Sequence, residues 1–343
     1  MDNLVIDSTH HLLATAWFAI IGLFLVFYVV LDGFDLGMGM LSLAAPSEHY
    51  RGVMMRSLGS IWDANETWLV IVGGTLFGAF PLVYGTVLHG LYIPIILMLL
   101  GFMLRGVSFE FYALSSRKKL WGMAFGFGSL LAVIAQGFAL GGLLAGMNIE
   151  NGLFVGGIFD WFSPFSIMVV LGVIAGYSVL GANYMILKFS GELQNHAYQR
   201  SMTFSILMLL AAGIITVWTP LQYPYIFERW FAFPAFFAFA LLPLAALLSF
   251  YALFSALKKR AERAPFIWSL LIFLFSFIGL AATWFPYIVP AAITIDQAAA
   301  PANTLIFMLF GIGTLIPVMI AYNIYQYSVF GGKIDPDAPI SHD

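Results

Sequence analysis

Long apolar stretches separated by short polar connections make up most of this chain. Each is close to the roughly 20 residues that an α-helix needs to cross a bilayer, and unbroken apolar runs are typical of helices rather than of membrane β-barrels. The pattern predicts nine spans, near residues 12–41, 66–85, 88–112, 121–146, 164–188, 201–218, 233–257, 266–289 and 303–328. Only a short turn around Gly85 and Thr86 separates the second span from the third, so eight spans is the competing count.

The basic residues alternate between the two sides of these spans. Twelve of the 14 lysines and arginines follow an odd-numbered span, and the exceptions are Arg105, inside span three, and Arg229. Because cytoplasmic loops carry the excess of Lys and Arg, we expect the N-terminus outside and the C-terminus in the cytoplasm. The alternation also favours nine spans. We expect one transmembrane helical domain over residues 1–330 and a flexible cytoplasmic tail over residues 331–343.

Composition agrees with this pattern. The chain is 62% hydrophobic and 9% charged, with a mean hydropathy of +0.95, whereas soluble domains carry about 25% charged residues. It has no cysteine, which excludes disulfides and thiolate metal sites. A net charge of −3 with only 14 basic residues argues against nucleic-acid binding. The predicted class is therefore an all-α polytopic membrane protein.

Two aspartates lie inside the first apolar stretch. Asp32 and Asp35 are three residues apart, which places them on one face of a helix. Ionisable residues inside a membrane span are costly and are functional candidates by default. Gly33 and Gly37 add the small-residue spacing that lets a neighbouring helix approach closely. The sequence therefore predicts a close, polar seam between helices here.

The next two spans bring further charges to the same depth. Asp63 and Glu66 open span two, and Arg105 and Glu110 lie in the inner half of span three. Because an unpaired buried charge is costly, we expect Arg105 to pair with one or two of the acids. One interpretation is a proton or cation uptake path from the cytoplasm. The other is a purely structural ion-paired cluster that locks the three helices together.

Histidine is the usual ligand through which membrane redox proteins hold b-type haem. Most of the histidines lie at chain ends or in loops, and one lies at the outer start of span three: His10, His11, His49, His89, His196 and His342. No facing pair is expected at mid-membrane, so we expect this chain to ligate no haem and no metal.

Four segments together resemble a known family. They are Asp-Gly-Phe-Asp-Leu-Gly-Met-Gly-Met at 32–40, Trp-Asp-x-Asn-x-x-Trp-Leu at 62–69, Arg105 with the Ser-Phe-Glu of 108–110, and Trp-Phe-Pro-Tyr-Ile-Val-Pro at 284–290. This set resembles subunit II of the cytochrome bd-type quinol oxidases, and the resemblance covers essentially the whole chain.

The resemblance implies a fold, a partner and a reaction. Each of the two large subunits would have two four-helix bundles plus one peripheral helix. Subunit I would carry the b-type and d-type haems and the quinol site, and the complex would oxidise quinol and reduce dioxygen to water with protons from the cytoplasm. The expected location is the bacterial inner membrane. Small accessory subunits and a structural quinone, which occurs in some members, are left open by the sequence.

The resemblance also ranks the candidate residues. By motif position, the predicted proton path consists of Asp35 and Asp63 first, then Asp32 and Glu66. Supporting roles are expected for Trp62, Arg105 and Glu110. No catalytic residue is assigned to this chain.

Two other functions are the alternatives. A proton- or cation-coupled secondary transporter is typically built from inverted repeats and helices broken at mid-membrane, and the two-acid pattern has no second copy in the later spans. A purely structural scaffold subunit is the third hypothesis. The residues alone leave oxidase subunit and transporter near parity, and the resemblance favours the oxidase.

Overall fold

The computed structural model describes residues 8–336, which form thirteen helices and two short hairpins. The helices are α1 (Ser8–Ser42), α2 (Glu48–Leu58), α3 (Trp62–Ala79), α4 (Pro81–Gly90), α5 (Tyr92–Leu114), α6 (Lys118–Leu144), α7 (Pro164–Lys188), α8 (Gly191–Gln222), α9 (Pro224–Phe231), α10 (Ala235–Lys258), α11 (Ala264–Trp284), α12 (Ile295–Ala298) and α13 (Ala302–Val329). The strands are β1 (Ile149–Glu150), β2 (Leu153–Phe154), β3 (Tyr287–Val289) and β4 (Ile293–Thr294). They pair antiparallel as β1–β2 and β3–β4.

A proline divides the second predicted span into two helices. Pro81 is tolerated in the first turn of α4, where its missing N–H would have no partner. Phe80 before it leaves the helical region, with φ −133° and ψ 63°. The prediction of one helix over 66–85 is therefore wrong, and so is the turn at 85–86, which lies inside α4. The chain turns instead at Leu91, between α4 and α5.

Eight helices of the described region are long and apolar enough to cross a membrane: α1, α5, α6, α7, α8, α10, α11 and α13. The shorter α3, with its polar first turn, lies alongside α13. Asn65 near its start bonds Tyr327 near the end of α13, whereas Ala79 at its end accepts a hydrogen bond from Ala300, just before α13. α3 therefore runs opposite to α13 and takes the place of the second of the nine predicted spans, although by length and composition the spans of the described region number eight.

The long helices form two groups of four. The first bundle consists of α1, α3, α5 and α6, and the second of α7, α8, α10 and α11. α7 joins them by packing against α1 and α6, and α13 lies outside both bundles against α1 and α3. This is the all-α arrangement of two bundles plus a peripheral helix that the resemblance implied.

The seam between α1 and α7 depends on glycine. A Cβ added at Gly37 would lie 1.7 Å from the carbonyl oxygen of Tyr177, and one at Gly181 would lie 2.4 Å from the backbone nitrogen of Met38. The two backbones therefore touch, which confirms the close approach predicted from the glycine spacing. The predicted polar contacts of α1 are also present but involve other helices, because Asp32 and Asp35 bond partners on α5 and α3.

The first residues of the predicted tail are held against the helices. Ile334 forms a backbone bridge with Phe189 after α7, and the carbonyl oxygen of Pro336 lies 2.8 Å from His49 Nε2. Lys333 pairs with Glu262, and this hydrogen bond lowers the pKa of Glu262. The chain is thus docked at least as far as residue 336, whereas residues 337–343 of the predicted tail lie outside the described region.

Candidate functional site

A buried arginine joins three helices of the first bundle. Arg105 on α5 is fully buried, and its Nη2 lies 2.6 Å from Asp32 Oδ1 on α1 and 3.0 Å from Glu66 Oε2 on α3. Asp32 is fully buried too, whereas the Glu66 side chain is 23% exposed. The predicted pairing of Arg105 with one or two acids is confirmed. The cluster reaches the protein surface through Glu66.

A glycine of α6 and two aromatic rings surround Arg105. A Cβ added at Gly128 on α6 would lie 2.8 Å from the backbone nitrogen of Arg105, so α5 and α6 are in direct backbone contact there. The Trp62 and Phe102 rings flank the guanidinium with centroids at 5.8 and 5.6 Å, an arrangement that favours a desolvated cation. Arg105 Nε and Nη1 have no hydrogen-bond partner among the described residues.

Asp35 is held separately, one helical turn after Asp32. Its Oδ2 accepts a hydrogen bond of 2.8 Å from Asn65 Nδ2, and Asn65 Oδ1 accepts one of 2.8 Å from the Tyr327 hydroxyl. Asp35 is 1% exposed, and no cation within the described region pairs with it.

Each aspartate also has one oxygen without a partner. Asp32 Oδ2 and Asp35 Oδ1 are buried and form no hydrogen bond within residues 8–336. Buried polar atoms are nearly always satisfied by protein or by ordered water. Each orphaned oxygen is therefore a position where a proton or a water molecule can be accommodated.

The other predicted residues lie at the edge of this cluster or outside it. Asp63 is exposed on the first turn of α3, three residues before Glu66, and Glu110 is exposed near the end of α5. Neither side chain forms an ion pair in the part of the chain that the structure describes. Trp62 stacks on Phe109, with ring centroids 5.1 Å apart, and covers one side of Arg105. The structure thus groups Asp32, Glu66 and Arg105 and leaves Asp63 and Glu110 outside.

Two residues at the site had no assigned part in the sequence analysis. Asn65 stands within the Trp-Asp-x-Asn motif, and its place inside a polar turn between Asp63 and Glu66 was the available signal. Tyr327 lies 262 residues further on, in a helix of ordinary apolar composition. No sequence pattern pointed to it.

The fold and site define a class: a polytopic helical membrane protein with a charged cluster buried in one bundle and open at one edge. Comparison with known proteins identifies the family. The profile described as "Cytochrome bd terminal oxidase subunit II" matches residues 13–330. The chain belongs to this family, and it is therefore a subunit of a terminal quinol oxidase, a quinol:oxygen oxidoreductase of the bacterial inner membrane. The transporter alternative is set aside.

Curated relatives match over nearly their whole length. "Cytochrome bd ubiquinol oxidase subunit 2" of Bacillus subtilis is 27% identical, covering 95% of this chain and 98% of that protein. "Cytochrome bd-I ubiquinol oxidase subunit 2" of Escherichia coli is 24% identical, with 95% and 96% covered. "Probable cytochrome oxidase subunit 2" of Haemophilus influenzae is 25% identical, with 93% and 94% covered.

A solved structure shares the fold. A chain of the bd oxidase from Geobacillus thermodenitrificans superposes with a TM-score of 0.75 at 20% identity, covering 93% of this chain and 99% of that one. The likeness extends over both bundles and confirms the all-α architecture.

The family implies haem in the complex, together with a partner subunit I. The histidines of the described region do not fit haem ligation. His10 and His11 bond Ala300 and Asp296 at one end of the helical layer, and His49 and His196 bond Pro336 and Glu192 at the other. His89 packs edge-on against Phe154. Each of the five therefore has a contact of its own near a helix end.

Proposed function

We propose that this chain supports a haem-bearing subunit I and supplies a proton uptake path from the cytoplasm for dioxygen reduction. The observation that carries the proposal is the pair of fully buried aspartates, each with an unpartnered oxygen, beside a charged cluster that reaches the surface. The cytoplasmic side is the end at which α1 finishes and α3 begins, because most of the Lys and Arg lie there.

The geometry supports an order of proton carriers along this path. Asp63 is exposed at the start of α3, and Glu66 is partly exposed three residues later, on the side of Arg105. Glu66 and Asp32 bind the same Arg105 nitrogen, so a proton that reaches Glu66 is one ion pair away from Asp32. The path therefore runs from Asp63 through Glu66 to Asp32.

Asp35 has a different place in the path. It lies one turn from Asp32 on α1 and has a neutral partner, Asn65, in place of a cation. Burial without a cation partner favours the neutral, protonated form of a carboxyl group, so Asp35 is the acid of this cluster best placed to hold a proton. We assign Asp35 as the proton-carrying acid and Arg105 as the cation that keeps Asp32 and Glu66 paired.

The names of the relatives suggest the electron donor, and the histidine positions suggest which subunit holds the haems. The Bacillus subtilis and Escherichia coli proteins are named ubiquinol oxidase subunits, so we propose ubiquinol as the electron donor of this complex. The histidine positions support haem ligation by subunit I, which would hold the b-type and d-type haems.

The test compares three variants of the assembled complex. Asp35→Asn and Asp63→Asn keep the shape of each side chain and remove the titratable proton, so oxygen consumption should fall about tenfold or more for Asp35→Asn and less for the exposed Asp63→Asn. Glu110→Gln is the matched control, because Glu110 lies near the same end outside the cluster, and it should have no effect.

Haem content and complex yield separate the two interpretations of the cluster. If the acids carry protons, turnover falls while haem content and thermal stability persist. If the cluster is a structural lock, Asp35→Asn lowers stability and leaves the turnover of the surviving complex unchanged. That second outcome would remove Asp35 from the path.

A further inference from the structure

The inner end of α13 has a polar face although the rest of the helix is largely exposed. Asn323 accepts a hydrogen bond of 3.2 Å from the Trp68 indole, Gln326 bonds the carbonyl of Ser60, and Tyr327 bonds Asn65. These residues follow the spacing of one helix face. The peripheral helix is therefore docked on α3 by hydrogen bonds, directly behind the acid of the proposed path.

The hydrogen bonds from α13 to Asp35 have a fixed direction. Asn65 Nδ2 lies 3.4 Å from the carbonyl oxygen of Leu31, which can only accept, and 2.8 Å from Asp35 Oδ2. The amide nitrogen must therefore face α1, and the amide oxygen faces the Tyr327 hydroxyl at 2.8 Å. Tyr327 donates to Asn65, and Asn65 donates to Asp35.

This direction decides where a proton on Asp35 can reside. An amide N–H donates and cannot accept, so Oδ2 is occupied as an acceptor as long as Asn65 keeps its orientation. The remaining oxygen, Oδ1, is buried and has no partner within the described region. A proton taken up by Asp35 therefore binds Oδ1.

We propose that Tyr327 is a positioning residue of the proton path: through Asn65 it restricts the proton on Asp35 to Oδ1. The inference rests on the proposed function, because it assumes that Asp35 carries protons. Without the Tyr327 hydroxyl, only the long 3.4 Å contact with the Leu31 carbonyl still holds the Asn65 amide, which can then turn over and present its oxygen to Asp35. Oδ2 would then become a second, unproductive position for the proton.

Other groups near Asp35 are unchanged by a substitution at position 327. The polar and charged side chains that surround it come from five helices: Asp32 on α1, Asn65 and Glu66 on α3, Arg105 on α5, Tyr184 on α7 and Tyr327 on α13. Phe34 packs between the last two rings, with centroids 4.1 Å from Tyr184 and 6.5 Å from Tyr327. Tyr327→Phe keeps that ring contact and removes only the hydroxyl.

The experiment uses the intact complex and three variants of α13. Tyr327→Phe removes the donor to Asn65, and Tyr325→Phe removes a hydroxyl from a tyrosine that is 65% exposed on the same helix. Asn323→Leu removes another bond between α13 and α3 without contacting the acid. The readouts are the pH profile of oxygen consumption and the infrared bands of the Asp35 carboxyl group, identified by subtracting the Asp35→Asn complex.

The expected result is specific to one variant. Tyr327→Phe should move the pH of half-maximal turnover by about one unit, a tenfold change in proton affinity, and should change the Asp35 infrared bands at unchanged haem content. Tyr325→Phe and Asn323→Leu should change neither, and Tyr327→Phe should add nothing in the Asp35→Asn background.

Two results would overturn the inference, and a third concerns only the proposed function. Unchanged Asp35 bands in Tyr327→Phe would mean that the hydroxyl does not position the acid. The same change in Asn323→Leu would mean that loosening of α13 is the cause. If Asp35→Asn itself leaves turnover unchanged, the proton path fails at Asp35, and the infrared bands still decide whether Tyr327 orients that group.

Discussion

The two four-helix bundles bury polar groups of different kinds. In the first, Asp32, Asp35 and Arg105 are almost completely buried. In the described part of the second, buried polar side chains are neutral apart from Lys188 at the end of α7. There, Asn183 donates to the Pro265 carbonyl at 3.1 Å and accepts from a serine hydroxyl. Neutral bonds suffice to join helices in the second bundle, so the charges of the first are costly groups that packing alone does not require.

Removing the central cation should have the largest effect. Arg105→Leu leaves Asp32 buried without a cation partner, and breaking a buried pair from one side costs about 3–5 kcal/mol. We expect a severe loss of assembled, haem-containing complex, measured by yield and optical spectrum. A normally assembled and equally heat-stable complex would show that the charges are independent of the fold.

Adding a side chain at the backbone contact between α1 and α7 should have the next largest effect. Gly37→Ala places a Cβ against the Tyr177 carbonyl, and overpacking of this kind costs about 1–3 kcal/mol. Thermal unfolding of the complex in detergent would measure the loss. Gly74→Ala in α3 is the control, since its Cβ meets nothing within 4 Å. Equal melting temperatures for both variants would contradict the close contact.

Removing neutral hydrogen bonds from the second bundle should lower stability without affecting turnover. Asn183→Leu removes two buried hydrogen bonds, and the groups left unpaired cost about 1–3 kcal/mol. The melting temperature should fall while turnover of the folded complex stays at the wild-type value. If turnover falls with stability intact, the contrast between the bundles is wrong.

Loss of the exposed Lys333–Glu262 ion pair should have the smallest effect on stability. Hydrogen bonds from Lys333 and Gln194 lower the pKa of Glu262. Because the folded pKa is the lower one, their stabilisation is present above the unfolded pKa and is lost as the pH falls through the folded pKa. Lys333→Ala should change the melting temperature little at neutral pH and not at all in acid. Lys119→Ala is the control, and a large effect of Lys333→Ala alone would assign the docked residues a greater structural role.

Local chemistry made much of the fold and part of the site predictable. The apolar runs, the glycine spacing and the acids inside span one each depend on neighbouring residues, and the structure follows them. Pro81 could have predicted the break of span two, because proline interrupts a helix. The apolar run continues across Pro81, however, and favoured a single span.

The differences between the sequence interpretation and the observed site have different physical causes. Glu110 is five residues after Arg105, and that separation turns it away from the face that carries the arginine. This could have been predicted from helix geometry. The contact of Asn65 with Tyr327 depends on how α13 packs on α3, and no local pattern encodes it.

We propose that protons for oxygen reduction enter through the first bundle of this chain. The most direct test is time-resolved proton uptake by the fully reduced complex after it is mixed with oxygen, followed with a pH-indicator dye in wild type and Asp35→Asn. We predict that oxygen still binds the haem at the wild-type rate, whereas proton uptake in Asp35→Asn slows about tenfold or more. Proton uptake at the wild-type rate in the Asp35→Asn complex would show that protons do not enter through Asp35.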